Sequence, residues 1–494
     1  MIFDNLSFDL DRPEIKVLSQ EKIEQIHAAS LEILQQTGVS VRLPEAVELL
    51  AAAGCEVADD IVRIPRRVVE ECLDMAPDVI TVYDRRGRKA MQLEGRNPHF
   101  GTGPTIQYVL DPETDERRAS SMEDIERAAR IVDYLPNLDF AMTMGMSGGV
   151  NPRPCGLNPL VTDRFDFAAM LRNTTKPLMF SNWSLAGLQD CYEMAVAARG
   201  GNENSLRQKP FIMVYCEPTT PLIHDRDPLE LALFCAEKAL PLLNISGPVA
   251  GGSSPVTLAG TLALANAEML SALVICQLKR KGAPMVYGGS AGPLDMRTSV
   301  SIYSGPECWL INIAVKELAT FYNLPDFNTA AASDAKILDQ QAAVDYTAGI
   351  MQAILAGSNL IHDVGYMESG YTASWEGIVM ADEIIDFMKS FLKGIPVNDD
   401  TLALEVIKNQ GPGGSFVADQ HTFDHFRYVW QPKLFDRSNR ESWQATGSKD
   451  LSTKLNEKVR DILDSHTPEP LDKEADGRID TILARAKEMH PVDR

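Results

Sequence analysis

The chain has 494 residues, 45% of them hydrophobic, with a net charge of −22 and a pI near 4.8. That length supplies ample core but exceeds one minimal domain, and the acidity argues against nucleic acid or an anionic membrane as partner. Eight cysteines, at 55, 72, 155, 191, 216, 235, 276 and 308, form no Cys-x-x-Cys pair, which predicts a reduced cytoplasmic protein without a disulfide frame or structural zinc.

In chain order, the opening Met1-Ile-Phe-Asp-Asn-Leu lacks a basic segment followed by an apolar one, so no export signal is expected. Helices are predicted over 19–36 (ending at Gly38), 43–53 and 67–75, then a hairpin over Ile80–Glu94 turning at Asp84-Arg-Arg-Gly87. From there the dominant pattern is a proline just ahead of a short apolar run that ends in small or polar residues. Such runs start at Pro98, Pro136, Pro177, Pro210, Pro241, Pro284 and Pro325, and an eighth without proline starts at Ser358. Proline is tolerated at a strand's first residue, and short apolar runs suit strands covered on both faces. The starts lie roughly 30–40 residues apart, room for one crossover helix each.

Crossover helices are signalled at 122–134 (Ser121 with Asp124 as a capping box), 228–239 (Asp227-Pro228 at its start) and 261–281 (stopping at Gly282). Others are signalled at 306–322, 342–356 (stopping at Gly357) and 375–391. The stretch Leu258–Leu278 contains Asn266, Glu268 and Gln277, which predicts a buried amphipathic helix rather than a membrane span. After Gly394 come a helix at 402–409, the loop Gly411-Pro-Gly-Gly-Ser-Phe, an aromatic-rich segment to Trp443, and helices near 450–464 and 476–488. The fold expected is α/β, a (β/α)8 TIM barrel over 96–395 with an N-terminal α+β extension (1–95) and a mostly helical C-terminal extension (396–494).

Such a barrel carries its chemistry at the C-terminal strand ends. Those ends read Thr102 with Gln107-Tyr108, Met144-Gly145-Met146, Ser181-Asn182-Trp183 and Cys216-Glu217. The later ends read Ser246-Gly247, Gly288-Gly289-Ser290, Ala331–Asp334, and His362-Asp363 followed by Tyr366, Tyr371 and Trp375. No strand-end lysine suits Schiff-base work unless Lys336 swings inward, and no serine sits in a nucleophile elbow. Small residues leave space, and aromatic faces stabilise cations, so the rim suits a site that receives something large and holds something positively charged and methylated. His421-x-x-x-His425 puts two histidines on one helical face, but no third ligand is visible, and no metal is expected.

Three long strings give the chain a family resemblance: Tyr287-Gly-Gly-Ser-Ala-Gly-Pro-Leu-Asp-Met-Arg-Thr, Gly357-Ser-Asn-Leu-Ile-His-Asp-Val-Gly-Tyr-Met-Glu-Ser-Gly, and the tail from Gly411 through His421-Thr-Phe-Asp-His-Phe-Arg to Trp443. With the strand series, they resemble the corrinoid-dependent trimethylamine methyltransferases over nearly the whole length. The resemblance implies methyl transfer from an N-methylated amine to the cob(I)alamin of a separate corrinoid protein, with no cofactor held tightly by this chain. Archaeal members acting on trimethylamine carry pyrrolysine in the barrel, expected here around Ser333–Lys336. This chain has ordinary residues throughout, which implies instead a quaternary amine, glycine betaine first, with proline betaine or carnitine as alternatives.

On that reading Tyr108, Trp183, Tyr366 and Trp375 are cage candidates, and His362 and Arg297 are carboxylate anchors. Glu217 and Asp334 balance charge, while Gly288, Gly289, Gly413, Gly414 and Phe416 are assigned to the corrinoid. A homo-oligomer is expected. The rival readings are a barrel lyase or aldolase working through Lys336 or a metal, and a betaine-binding protein without catalysis.

Overall fold

Eight parallel segments close on themselves in the computed structural model, which describes residues 12–114, 116–148 and 156–491. Seven are strands: His99–Phe100, Leu178–Phe180, Ile212–Cys216, Leu242–Ser246, Met285–Gly289, Asp326–Thr329 and Leu360–His362. The remaining position is filled by 140–141, bridged from Phe140 to Gly101 and from Ala141 to Leu178, which closes the ring. This is the expected (β/α)8 barrel, with seven segments inside proline-led runs and the eighth, Leu360–His362, inside the run from Ser358.

The prolines have a clear physical part. Pro177, Pro241, Pro284 and Pro325 each sit one residue ahead of a strand. Their carbonyls accept from the N–H groups of Ala141, Val214, Leu242 and Tyr287 at 2.9–3.0 Å. The ring therefore keeps the acceptor while losing only a donor that proline never had. Inside, Phe140, Met142, Met179, Met213, Leu243, Ile245, Val286, Phe327 and Leu360 fill the lower barrel. The hairpin Ile80–Tyr83/Lys89–Leu93 plugs that end, adding Ile80, Val82, Met91 and Leu93 to the same core.

The helices run around the outside. Met122–Tyr134 starts on the Ser121–Asp124 capping box, and Gln340–Ala356 ends at Gly357 in the left-handed region. Arg226–Lys238 begins two residues before its predicted start, with Asp225 at the N-cap and Pro228 inside the first turn. Leu258–Lys279 is buried nearly all round rather than amphipathic, because Gln20–Glu32, Pro44–Ala52 and Arg66–Leu73 cover its outer side. It is the one helix among the described residues long and apolar enough to cross a membrane, and it lies mostly inside the protein.

Two crossover helices, Thr162–Asn173 and Leu185–Ala198, escape the sequence reading. The first buries Asp163, Arg164 and Asp166 along with its apolar residues, so it shows no amphipathic stripe. The predicted 402–409 helix is two short ones, Asp399–Leu402 and Leu404–Gln410, broken at left-handed Ala403. The last two helices, Leu451–Ser465 and Lys473–Met489, pack back on the barrel's outer helices. All seven described cysteines are free and buried. Cys155 and the opening hexapeptide lie outside the described residues.

Asp166 accepts from the Ser147 N–H at 3.1 Å, and burial pushes its carboxyl up from 3.8 to about 7. The folded protein thus keeps a proton that the unfolded chain has already released. The stability this contributes is complete below 3.8 and is lost as pH rises through about 7. Asp166→Asn should flatten that loss. Thermal unfolding of both proteins from about pH 4 to about pH 8 checks it, and parallel profiles would contradict it.

Candidate active site

A cavity of about 520 Å³ opens at the C-terminal ends of the barrel strands. A larger groove, about 950 Å³, lies at the opposite end, between Asn97–His99 and the Lys389–Lys393 region. In a parallel barrel the loops that carry chemistry follow the strands, so the mouth is the candidate site.

Tyr215 and Glu217 reach it from one strand and the residue just beyond its end. Two residues apart on extended backbone, they share a face, and the Tyr215 hydroxyl donates to the Glu217 carboxylate. Glu217 is open to the cavity but deeply walled by protein. That burial pushes its pKa up, against the Tyr215 hydroxyl and His362, which pull it down. Burial also pushes the phenols of Tyr215, Tyr303 and Tyr366 up, so these rings stay neutral donors.

His362 ends the last strand. Its ring stacks on Phe327 with centroids 4.1 Å apart, and Nε2 lies 3.1 Å from Thr329 Oγ1. Asp363 takes φ +72°, the left-handed region that aspartate tolerates. Its carboxylate comes round to within 2.6 Å of His362 Nδ1, a contact too bent for an aligned hydrogen bond. Thr105, Met144, Ala331, Glu368 and Ser369 also have positive φ, so non-glycine strain gathers in the loops around the mouth.

Asn182 and Trp183 are held by a buried acid. Asp163 Oδ2 accepts from Asn182 Nδ2 at 2.9 Å and from the Trp183 N–H at 3.2 Å. Arg164 bonds both Asp163 and Asp190 from the same helix, fixing the cluster. Trp183 stands at the lip, 45% exposed. Tyr303 comes from the long loop after Met285–Gly289, and Asp334 fixes it by accepting from the Tyr303 and Ser304 N–H groups and from the Ser369 hydroxyl.

Of the residues singled out from the sequence, Trp183, Glu217, His362 and Tyr366 line the cavity. The others are placed elsewhere. Tyr108 already carries the Arg117 guanidinium 3.3 Å above its ring. Trp375 is fully buried at the start of its helix, and Arg297 is an exposed side chain paired with Asp295. Asp334 is a loop tie, and the Lys336 ammonium is exposed and donates to the Asp334 carbonyl rather than turning inward. Gly288 and Gly289 are buried in the barrel wall, and Gly413, Gly414 and Phe416 lie on the C-terminal arm, away from the cavity lining.

The sequence reading missed Tyr215 and Tyr303 as lining residues. Tyr215 was legible from its spacing to Glu217. Tyr303 was not, because its loop has no periodicity. Among the described residues, the lining carries three carboxylates, Glu217, Asp227 and Asp363, four aromatic rings, and no lysine or arginine. The charged groups of the lining are thus all acids, set among aromatic faces.

The family model described as trimethylamine methyltransferase (MTTB) matches residues 7–491. A trimethylamine methyltransferase of Desulfitobacterium hafniense is 32% identical over 96% of this chain and 95% of its own. One from Methanosarcina thermophila is 34% identical over 94% and 96%. A glycine betaine methyltransferase of Desulfitobacterium hafniense is 30% identical over 97% and 98%. The chain belongs to the trimethylamine methyltransferase family. The crystal structure of the Methanosarcina barkeri monomethylamine methyltransferase, at 12% identity and TM-score 0.52 over 91% of this chain and 89% of that one, shares its fold.

A Cβ added at Gly288 would sit 2.7 Å from both Phe327 Cβ and the Phe327 carbonyl. Gly288→Ala should therefore overpack the barrel and cost about 1–3 kcal/mol. Chemical denaturation measures it; an unchanged midpoint would move Gly288 from packing toward ligand contact.

Proposed function

We propose that this protein moves a methyl group from a quaternary amine, glycine betaine first, to the Co(I) of a corrinoid carried by a separate protein. The observation that carries the reading is the pairing of acids with aromatic rings in one walled cavity, Glu217 and Asp363 beside Tyr215, Tyr303, Tyr366 and Trp183. A carboxylate about 4 Å from a fixed positive charge contributes roughly 4 kcal/mol at an effective dielectric near 20. A desolvated aromatic face adds about 2 kcal/mol. Neither requires a proton to move.

The chemistry asks for little more. A quaternary nitrogen is already a good leaving group, so the C–N pair returns to nitrogen as a neutral tertiary amine departs. The methyl carbon bonds to the acceptor's electron pair, and the corrinoid supplies that nucleophile as second substrate. This chain orients the ammonium, excludes water and leaves the methyl facing the open mouth. Orientation can supply part of the roughly 7–11 kcal/mol available from ideal positioning. His362 is the lining group suited to a substrate carboxylate. The absence of described lysine or arginine in the lining favours a second reading, in which a carboxylate-free quaternary ammonium outranks glycine betaine.

The mouth also suits a large visitor. Loops after six of the barrel segments expose apolar side chains: Leu160, Trp183, Val256, Met296, Ile337 and Tyr371. Met296 is 71% exposed and Val256 66%, values that fit a surface awaiting a partner. A cytoplasmic location accords with the free, buried cysteines.

Methylcobalamin formation from reduced cobalamin, assayed with glycine betaine, choline and trimethylamine, tests the proposal. Turnover with a quaternary amine is expected, and trimethylamine as preferred donor, or no turnover with any, would overturn it. Met296→Asp with Ile337→Asp should raise KM for the corrinoid protein by about tenfold, near 1.4 kcal/mol, and leave transfer to free cobalamin unchanged. Equal losses with both acceptors would remove the rim from the docking account.

A further inference from the structure

The stretch 395–445 is built without a core of its own. Asp399–Leu402, Leu404–Gln410, Gln420–His425, Phe426–Tyr428 and Arg440–Ala445 contain no buried residue. Val417 is 86% exposed. Apolar packing therefore does not explain what holds its first helical turn against the Gln420–His425 helix.

Three side chains meet at that junction. Asp400, His421 and His425 bring one ligand atom each to within 4.8 Å of one another. The two imidazoles, one helical turn apart, stack at 4.1 Å with their planes 17° apart. His425 Nε2 lies 3.0 Å from Asp400 Oδ2, and His421 Nε2 lies 3.0 Å from the Asp400 carbonyl. Asp400 is the third candidate group that the sequence did not reveal, because it stands far up the chain from the histidine pair.

The hydrogen bonding at His425 gives an independent reason to look for a cation. Its Nδ1 lies 2.9 Å from the His421 carbonyl, which can only accept, so Nδ1 carries the hydrogen. In the neutral ring Nε2 then presents a lone pair, and it faces a carboxylate oxygen. Two acceptors at that separation need a positive species between them, a proton or a metal ion. By the same rule His421 Nε2, facing the Asp400 carbonyl, carries a hydrogen and would give up that bond to ligate. Imidazoles that bind metals are held in this way, with the remote ring N–H given to a carbonyl.

We infer that Asp400, His421 and His425 bind one divalent transition-metal ion of the zinc class, which clips the Asp399–Leu402 turn to the Gln420–His425 helix. Two imidazoles and a carboxylate are a set zinc accepts, with water completing a tetrahedron. Bonds of about 2.0–2.1 Å put ligand atoms roughly 3.3 Å apart, so the three need only modest side-chain rotation to close on the ion. The site sits at the rim of the groove opposite the barrel mouth, where Asp400 and His425 both contribute lining, and is separate from the proposed methyl-transfer chemistry.

The test uses the full chain without an affinity tag, stripped with chelator, equilibrated with zinc chloride and passed through gel filtration. Metal analysis should find one ion per chain, and substitution with cobalt(II) should give visible bands of tetrahedral nitrogen–oxygen ligation. Asp400→Asn, which keeps the shape of the turn, and the double variant His421→Ala/His425→Ala should each lose the ion while eluting as wild type. Zinc should slow protease cutting between 396 and 430 in wild type by about tenfold and in neither variant. Wild type that retains no more metal than the double variant would overturn the proposal and leave a protonated histidine–aspartate pair. Methyl transfer measured in the same preparations separates this site from the mouth, since its failure would leave the metal count untouched.

Discussion

Confining negative charge in a walled cavity is the physical demand to which the rest of this structure answers. Glu217 and Asp363 repel one another, and burial makes the Glu217 charge more expensive, while Asp227 adds a third, exposed carboxylate to the lining. The chain eases the strain locally: Tyr215 donates to Glu217, and His362 stands against Asp363. It does not neutralise the site with a described lysine or arginine. An ammonium that fills the cavity completes the electrostatics, and its methyl groups tolerate the aromatic faces that a hydrated ion would not. Burial, with Asp363 alongside, pushes the Glu217 pKa up for the same reason.

Holding such a site requires a rigid frame, and the frame is built at the other end. Side chains fill the lower barrel to its axis, and the Ile80–Leu93 hairpin seals it, so the upper cavity has a solid floor. Above that floor the loops are tied by polar groups rather than apolar ones. Asp163 holds Asn182 and Trp183, Asp334 joins the Tyr303 loop to Ser369, and Thr329 braces His362. Left-handed backbone at Thr105 and Asp363 accompanies two side chains of the cavity lining, and Met144 and Ala331 take the same conformation in neighbouring loops.

The barrel was legible because its signal is repeated and one-dimensional: a proline, a short apolar run, a small residue, then a helix. Any single run would have been ambiguous, but eight at regular spacing were not. Helices whose polar residues face inward, such as Thr162–Asn173, broke the amphipathic pattern and went unread. Within the site, residues on or next to a strand end, Glu217 and His362, were found, because strand position predicts direction. Tyr108 and Trp375 have the right chemistry at nearly the right place. Yet one is covered by Arg117 and the other faces the helix layer, and which way a side chain turns past a strand end is a tertiary fact. The Asp400 ligand was hidden for the same reason, since chain separation says nothing about a loop that folds back.

The central claim is that the mouth selects positive charge rather than shape. Calorimetric titration with tetramethylammonium, and with a neutral molecule of the same outline in which carbon replaces nitrogen, measures that directly. The account predicts that the cation binds at least about tenfold more tightly, that Glu217→Gln narrows the gap, and that affinity rises with pH as Glu217 ionises. Equal affinity for the charged and uncharged ligands would contradict it.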